Sequence, residues 1–182
     1  WNLMESNERW PDSFPSPHGI LPAARLSGDA AADKVRVVFI GHASFLVQAQ
    51  GQNILFDPVW SERASPVSFA GPRRLNPPGI AFDDLPRIDT IVITHNHYDH
   101  LDRYTLGRLP KSVAWRVPLG LARFVRAYGF EDVQEIDWWQ SAECRGFRLT
   151  LLPAQHWSRR LSQPDETTLW GSWLIESDGV RA

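Results

Sequence analysis

Apolar residues fall along this chain in short, closely spaced runs rather than in long helical stripes. "VRVVFI" (35–40), "SFLVQA" (44–49) and "NILFDP" (53–58) each read as a strand, with "QGQN" as a hairpin-like turn between the last two. "IDTIVIT" (88–94) is β-branched and too short for a helix, which makes it a buried strand. "SVAWRV" (112–117), "VQEID" (133–137), "FRLTLLP" (147–153) and "TLWGSWLIES" (168–177) complete the set. Helical signals appear twice. One helix runs from Asp102, its N-cap, to Leu109 and is stopped by Pro110. In "LGLARFVRAYG" (119–129), Leu121, Phe124, Val125 and Tyr128 share one face and Gly129 supplies the C-terminal cap. Strands dominate and helices are interspersed, so the fold class is a layered α/β or α+β domain.

Two stretches lack periodicity. Residues 1–34 carry Pro11, Pro15, Pro17 and Pro22 and read as an extended N-terminal arm, leaving 35–182 as the domain. Residues 59–88 are rich in Pro, Gly, Ser and Arg and form a long loop, a class of segment that is usually functional when it belongs to a compact domain. At the other end, "DG" (178–179) is a hairpin turn and "VRA" opens a return strand. A half-hairpin leaves a sheet edge unpaired, so the expectation is a domain cut short at its C-terminus.

Composition narrows the chemistry. With 22% charged residues and a formal net charge of −2, the chain lacks the basic excess of a nucleic-acid binder. Its single cysteine, Cys144, excludes a multi-cysteine metal site, so imidazole and carboxylate must hold any ion. No apolar run approaches the roughly 20 residues needed to span a bilayer, and no signal peptide is visible ahead of the domain. A cytoplasmic location, with peripheral membrane contact, is the expectation.

Three of the six histidines lie in "THNHYDHLD" (94–102). On a helix, positions i and i+2 point apart; in an extended segment they point together, and the preceding "TIVIT" is strand-like. His95 and His97 can therefore grip one ion, while Asp99 and His100, after the chain turns, can aim at a neighbouring position. Chance produces this H-x-H-x-D-H spacing on the order of 0.0005 times in a chain of this composition. His156, in "LPAQHWSRR", follows a strand as His95 does. His95, His97 and His156 would make a three-histidine site with one open position, the arrangement that catalytic zinc uses. Asp57, ending a strand in "ILFDP", is placed to hold a ligand histidine by its other ring nitrogen, with turn initiation before Pro58 as the alternative. His42 in "IGHASF" reads as a hydrogen-bonded histidine at the sheet end, with substrate contact as the sharper alternative, and His18 as solvated. Arg159 and Arg160 could receive an anionic head group, as could Arg73 and Arg74 less directly. Trp60, Phe69 and Trp157 could accommodate acyl chains or simply pack the core.

"THNHYDHLD", "FIGHASFLVQ", "NILFDPVWSERASP" and "LPAQHWSRR" with "TLWGSW" together resemble the metallo-β-lactamase-fold hydrolases. Within them the chain looks most like bacterial relatives of N-acylphosphatidylethanolamine-hydrolysing phospholipase D, from about residue 35 onward. That resemblance implies a four-layer αββα sandwich with two zinc ions at one edge, manganese or iron being the alternatives. It places His95, His97 and His156 on the first ion, and Asp99 and His100, with a catalytic role, on the second. It also implies a bridging aspartate and a distal histidine, which "LSQPDETTLWGSWLIESDGVRA" (161–182) does not supply in recognisable form. This chain alone should then bind the second ion weakly and be nearly inactive. The activity expected of the complete protein is hydrolysis of a phosphodiester, small or lipid, by a hydroxide bridging the metals. Hydrolysis of a lactone or other ester on the same fold is the principal rival; a structural metal module and an inactive fragment are the others.

Overall fold

The structure, a computed structural model, describes residues 20–23, 26, 35–144, 146–161, 167–177 and 180–181. Most of the N-terminal arm, with His18, and the Asp178–Gly179 pair lie outside the described residues.

Six strands form the first sheet in the order β1-β2-β3-β4-β5-β6: β1 Arg36–Gly41, β2 Ser44–Ala49, β3 Gln52–Phe56, β4 Thr90–Val92, β5 Ala114–Pro118 and β6 Val133–Ile136. The first three pair antiparallel and β3 to β6 pair parallel. Because β1 and β3 are each antiparallel to β2, they run the same way. The ends of β1, β3 and β4 therefore meet at one edge of the sheet, and this edge carries the site. The parallel strands β4 and β5 are buried on both faces, which is why "TIV" is buried at every position rather than at alternate ones.

A second, antiparallel sheet has the order β10-β9-β8-β7: β7 Ser141–Cys144, β8 Phe147–Leu152, β9 Ser172–Ser177 and β10 Val180–Arg181. Val47, Ile54, Val92, Phe147, Leu149 and Ile175 fill the space between the sheets. On the other face of the first sheet, helices α1 (Arg103–Arg108) and α2 (Ala122–Arg126) add Leu106 and Val125 to a larger core around Leu55, Ile91 and Trp115. Helix, sheet and sheet are three of the four layers expected. A helical layer over the outer face of the second sheet is not among the described residues.

The sequence patterns locate these elements to within a few residues, with one omission: β7, "SAEC", is not recognisable. It has no β-branched residue, and half of its positions face water, so it lacks the apolar run that marked the others. The loop 59–88 is tied to the domain by hydrogen bonds. Trp60 and Ser61 donate their N–H groups to the buried carboxylate of Asp102, Arg74 donates to the Val59 carbonyl at 2.7 Å, and a bridge joins Arg63 to Arg73. Asp102 also caps α1 by accepting from the Tyr104 and Thr105 N–H groups. Among the described residues no helix is long and apolar enough to cross a membrane.

Candidate metal centre

β4 ends at Val92, and the segment that follows it brings His95 and His97 together. His95 Nε2 lies 2.9 Å from His97 Nδ1 and 3.0 Å from His156 Nε2. The donor atoms of these three histidines lie within 4.8 Å of one another.

His156 reaches them through a set of ties between the two sheets. Trp173 donates its indole N–H to the Ile93 carbonyl, Gly171 its backbone N–H to the Thr94 carbonyl, and Trp170 its indole N–H to the Ala154 carbonyl. Gly171 is required by space: an added Cβ would lie 2.5 Å from the Leu152 carbonyl oxygen. Buried Asn96, between the two motif histidines, donates to Thr168, and Thr168 is bonded to Ser158 at 2.8 Å. "TLWGSW" is thus the clamp that holds the His156 loop against the motif. Its indole donors are visible in the sequence, but their partners are not.

Proton bookkeeping fixes how the ring nitrogens are used. Asp57 is buried and its carboxylate only accepts. Its Oδ1 takes the Thr94 N–H at 2.8 Å, and its Oδ2 takes both the Thr94 hydroxyl at 2.7 Å and His100 Nδ1–H at 2.8 Å. Thr94 Oγ1, its hydrogen spent on Asp57, accepts from His95 Nδ1 at 2.8 Å. His95 therefore presents a lone pair at Nε2. Asp57 occupies the place assigned to it from sequence, with a left-handed backbone (φ 39°) that turns the chain there. Thr94 was not singled out in the sequence; a threonine next to a motif gives no signal of its own.

Electrostatics separate the two halves of the motif. Burial, reinforced by the neighbouring imidazoles, pushes the His95 pKa down to about 2. Burial and His156 lower that of His97. These rings stay neutral, as metal ligation demands. For His100, burial also disfavours the cation, but the hydrogen bond and charge of Asp57, with Asp99, outweigh it and raise its pKa. The donor set fits a metal ion. Three imidazole nitrogens converging at 2.9–3.0 Å need a cation or a proton among them, and His97 Nε2 is buried without a hydrogen-bond partner.

The second position gathers Asp99, His100 and a third residue. His100 Nε2 lies 3.8 Å from Asp99 Oδ2, and His42 Nε2 lies 2.8 Å from the same oxygen. Sequence reading placed His42 at the sheet end but gave it no tie to the motif.

The two arginines after His156 part company. Arg159 is exposed and lines a cleft at the site. Arg160 is 2% exposed. Its guanidinium donates to the carbonyls of Asn96 and Leu101 and stacks on the rings of Tyr98, at 4.5 Å, and Phe124, at 4.8 Å. Burial pulls its pKa down to about 10, still fully charged at neutral pH. Arg160, expected from sequence to meet a head group together with Arg159, borders the same cleft but directs its Nε and Nη2 donors into the backbone of the motif. Trp60 is likewise turned inward: its indole N–H bonds the Ile80 carbonyl, and its ring packs against Phe82 and the core. Trp157 stays at the site, its ring 4.3 Å from that of His97, and Phe69 is exposed on the long loop.

The cleft beside these residues has a volume of about 1730 Å³. It is lined by the site residues His42, His97, Asp99 and Trp157, by the apolar Val37, Phe39, Leu75 and Leu161, and by Arg159, together with Arg73, which is paired with Glu62, and Arg74, which is bonded to the Val59 carbonyl.

Comparison with known proteins agrees with this geometry. Residues 52–182 match the family described as the Beta-lactamase superfamily domain. An uncharacterised protein of Mycobacterium tuberculosis is 39% identical over 159 residues, which cover 85% of this chain and 42% of that protein. The N-acyl-phosphatidylethanolamine-hydrolyzing phospholipase D 1 of Caenorhabditis elegans is 34% identical over 190 residues, covering 97% of this chain and 53% of the relative. The chain thus spans about half the length of these curated relatives. Among solved structures, the diiron β-hydroxylase CmlA of Streptomyces venezuelae is 27% identical with a TM-score of 0.56, over 85% of this chain and 32% of that one. A metallo hydrolase from Ignicoccus hospitalis, 22% identical with a TM-score of 0.58 over 81% of this chain and 57% of that one, shares the fold. The two-sheet sandwich, the histidines gathered at its edge and the family match lead to one conclusion: this chain belongs to the metallo-β-lactamase superfamily and is related to the N-acyl-phosphatidylethanolamine-hydrolysing phospholipases D.

Proposed function

We propose that this site hydrolyses a phosphodiester carrying an apolar group, a phospholipase D-like reaction, with His95, His97 and His156 holding one zinc ion and Asp99 and His100 contributing to a second. Bound there, the ions would lower the pKa of water and neutralise charge building on the phosphoryl oxygens. The chain's own residues do the rest. Asp57 and Thr94 fix the two ring orientations, Arg160 braces the motif, and Arg159 stands at the rim to meet an anion. The membrane surface where such a lipid resides is the expected workplace.

The cleft carries this reading. Small-molecule pockets usually measure about 300–1,000 Å³. A cleft of about 1730 Å³ lined by metal-site residues, by Val37, Phe39, Leu75 and Leu161, and by the Arg159 cation suits an anionic centre bearing long apolar chains. A lactone has no charge for that cation to meet.

The test is a hydrolysis screen with the protein expressed from its full reading frame and loaded with zinc, manganese or iron. Iron is included because a protein similar in sequence and fold is a diiron β-hydroxylase. Substrates are an N-acylated phosphatidylethanolamine, a soluble phosphodiester and a lactone. Preferential cleavage of the lipid diester is expected; turnover of the lactone with both diesters untouched would sink the proposal.

A further inference from the structure

The long loop doubles back on itself beside the cleft. Ala64 donates its N–H to the Pro72 carbonyl at 3.0 Å and Arg74 its N–H to the Glu62 carbonyl at 2.7 Å, with Arg63 and Arg73 bridged antiparallel between them. Residues 62–74 are thus a short hairpin. Gly71, φ 99°, lets its tip close, since an added Cβ would lie 2.7 Å from the Ser65 Cβ. Ser61, Ala64, Pro72 and Leu75 line the cleft together with His97 and Asp99, so the hairpin walls the space next to the site. A two-stranded hairpin has little stability of its own. Where it stands depends on what holds its base.

That base is held from the end of the metal motif. Buried Asp102 caps α1: its Oδ1 accepts the Tyr104 N–H at 3.1 Å, and its Oδ2 accepts the Thr105 N–H at 3.3 Å and hydroxyl at 2.6 Å. Oδ2 also takes the N–H groups of Trp60 at 3.2 Å and Ser61 at 3.0 Å, from 42 and 41 positions earlier. The Thr105 hydroxyl, its hydrogen spent on Asp102, accepts the Trp60 N–H as well, at 2.9 Å. Val59 donates to Ser44 Oγ at 3.2 Å, and Arg74 ties the base together from within the loop through the Val59 and Ser61 carbonyls. Capping alone does not call for this arrangement, because a serine or asparagine would cap α1 as well. A carboxylate has two oxygens that only accept, and a charged acceptor bonds a main-chain N–H about twice as strongly as a neutral one. Asp102 stands two residues after His100, so one side chain joins the hairpin to the motif.

We propose that Asp102 is a positioning residue for the substrate cleft: it fixes the loop hairpin against the metal motif and so sets the space open to the apolar part of the substrate. The inference rests on reading the cleft as the seat of an anion that carries an apolar chain, but the hold on the hairpin is a property of this chain's own backbone. Asp102 acts through the hairpin, without touching substrate or ion.

The test compares wild type with Asp102→Ser and Asp102→Asn, each expressed from the full reading frame and loaded with zinc. A serine hydroxyl still caps α1 but is too short to serve the hairpin base. In hydrogen exchange read by mass spectrometry, the amides of 60–74 should exchange at least about tenfold faster in Asp102→Ser, while α1 and β4 keep their protection. Asp102→Asn offers one acceptor oxygen to donors on two sides and should fall between; it is the second variant should serine disturb folding. Calorimetric binding of octyl phosphate and methyl phosphate then reads the cleft. In Asp102→Ser the preference for octyl over methyl phosphate should fall at least about tenfold, the worth of about two methylenes. Wild-type protection of 60–74 in both variants, or loosening spread evenly over α1 and β4, would overturn the positioning role. An unchanged octyl preference would overturn its part in selectivity. A wild type that binds octyl phosphate no better than methyl phosphate would instead overturn the apolar-substrate reading, while exchange still decides whether Asp102 holds the hairpin.

Discussion

Asp57 holds His100 by one ring nitrogen, Nδ1 at 2.8 Å, and leaves the other, Nε2, facing Asp99. The same carboxylate fixes Thr94 and, through its hydroxyl, the His95 ring. One buried residue from the end of β3 thus contacts, directly or through Thr94, a histidine of each candidate ion-binding group. Asp57→Asn keeps the shape but removes the charge, and should weaken metal binding roughly 10–100-fold, the usual cost of losing an outer partner of a ligand histidine. Competitive chelator titration measures this; wild-type affinity would exclude the orienting role.

His156 is the one member of the three-histidine group that lies outside the motif. Its removal leaves two imidazoles. His156→Ala should lower affinity for the first ion by more than about 100-fold, beyond the range for an outer partner, with the fold intact because the residue is exposed. Dialysis against limiting zinc, with circular dichroism as the folding control, decides it. Retention of the first ion would remove His156 from the site.

Arg159 and Arg160 should behave in opposite ways. Arg160→Gln strands two main-chain carbonyls, and at about 1–3 kcal/mol for each unsatisfied group should cost about 2–6 kcal/mol in urea unfolding. Arg159→Ala, on the surface, should stay within about 0.5 kcal/mol of wild type, yet raise KM for an anionic lipid. Equal stability losses in the two variants would show that the guanidinium of Arg160 is not a brace.

Acid should weaken the metal-free chain in a defined window. His95 has a pKa of about 2 when folded and an ordinary value of 6.5 when unfolded. Below pH 6.5 the unfolded chain takes up a proton that the folded chain refuses, so stability present above pH 6.5 is lost progressively as pH falls. His97 acts in the same direction. His100, with a raised pKa, has the opposite sign: its contribution is complete below pH 6.5 and is lost only as pH rises through its folded value. Between pH 7 and 5, His95 alone should cost about 2 kcal/mol. Urea unfolding in chelator, compared between wild type and His95→Asn, isolates the effect; parallel pH curves would refute it.

By itself the sequence determined the local elements and the identity of the metal motif. Strand and helix patterns depend on neighbours along the chain, and the run from Thr90 to Val92 or the face shared by Leu121 and Val125 needs no distant partner to be read. H-x-H-x-D-H is also local: extended geometry alone puts His95 beside His97. Only the tertiary structure decided what meets across the sheet. His42 joins Asp99 because β1 and β3 run the same way and a left-handed turn carries the ring over the edge. Arg160 differs from Arg159 because the fold lays the irregular segment after β8 against the motif, whose carbonyls at Asn96 and Leu101 take the Arg160 guanidinium while Arg159 stays exposed. Side-chain chemistry is written residue by residue, but a site needs side chains from several strands, and the distances among those are set by pairing and packing that no single stretch of sequence contains.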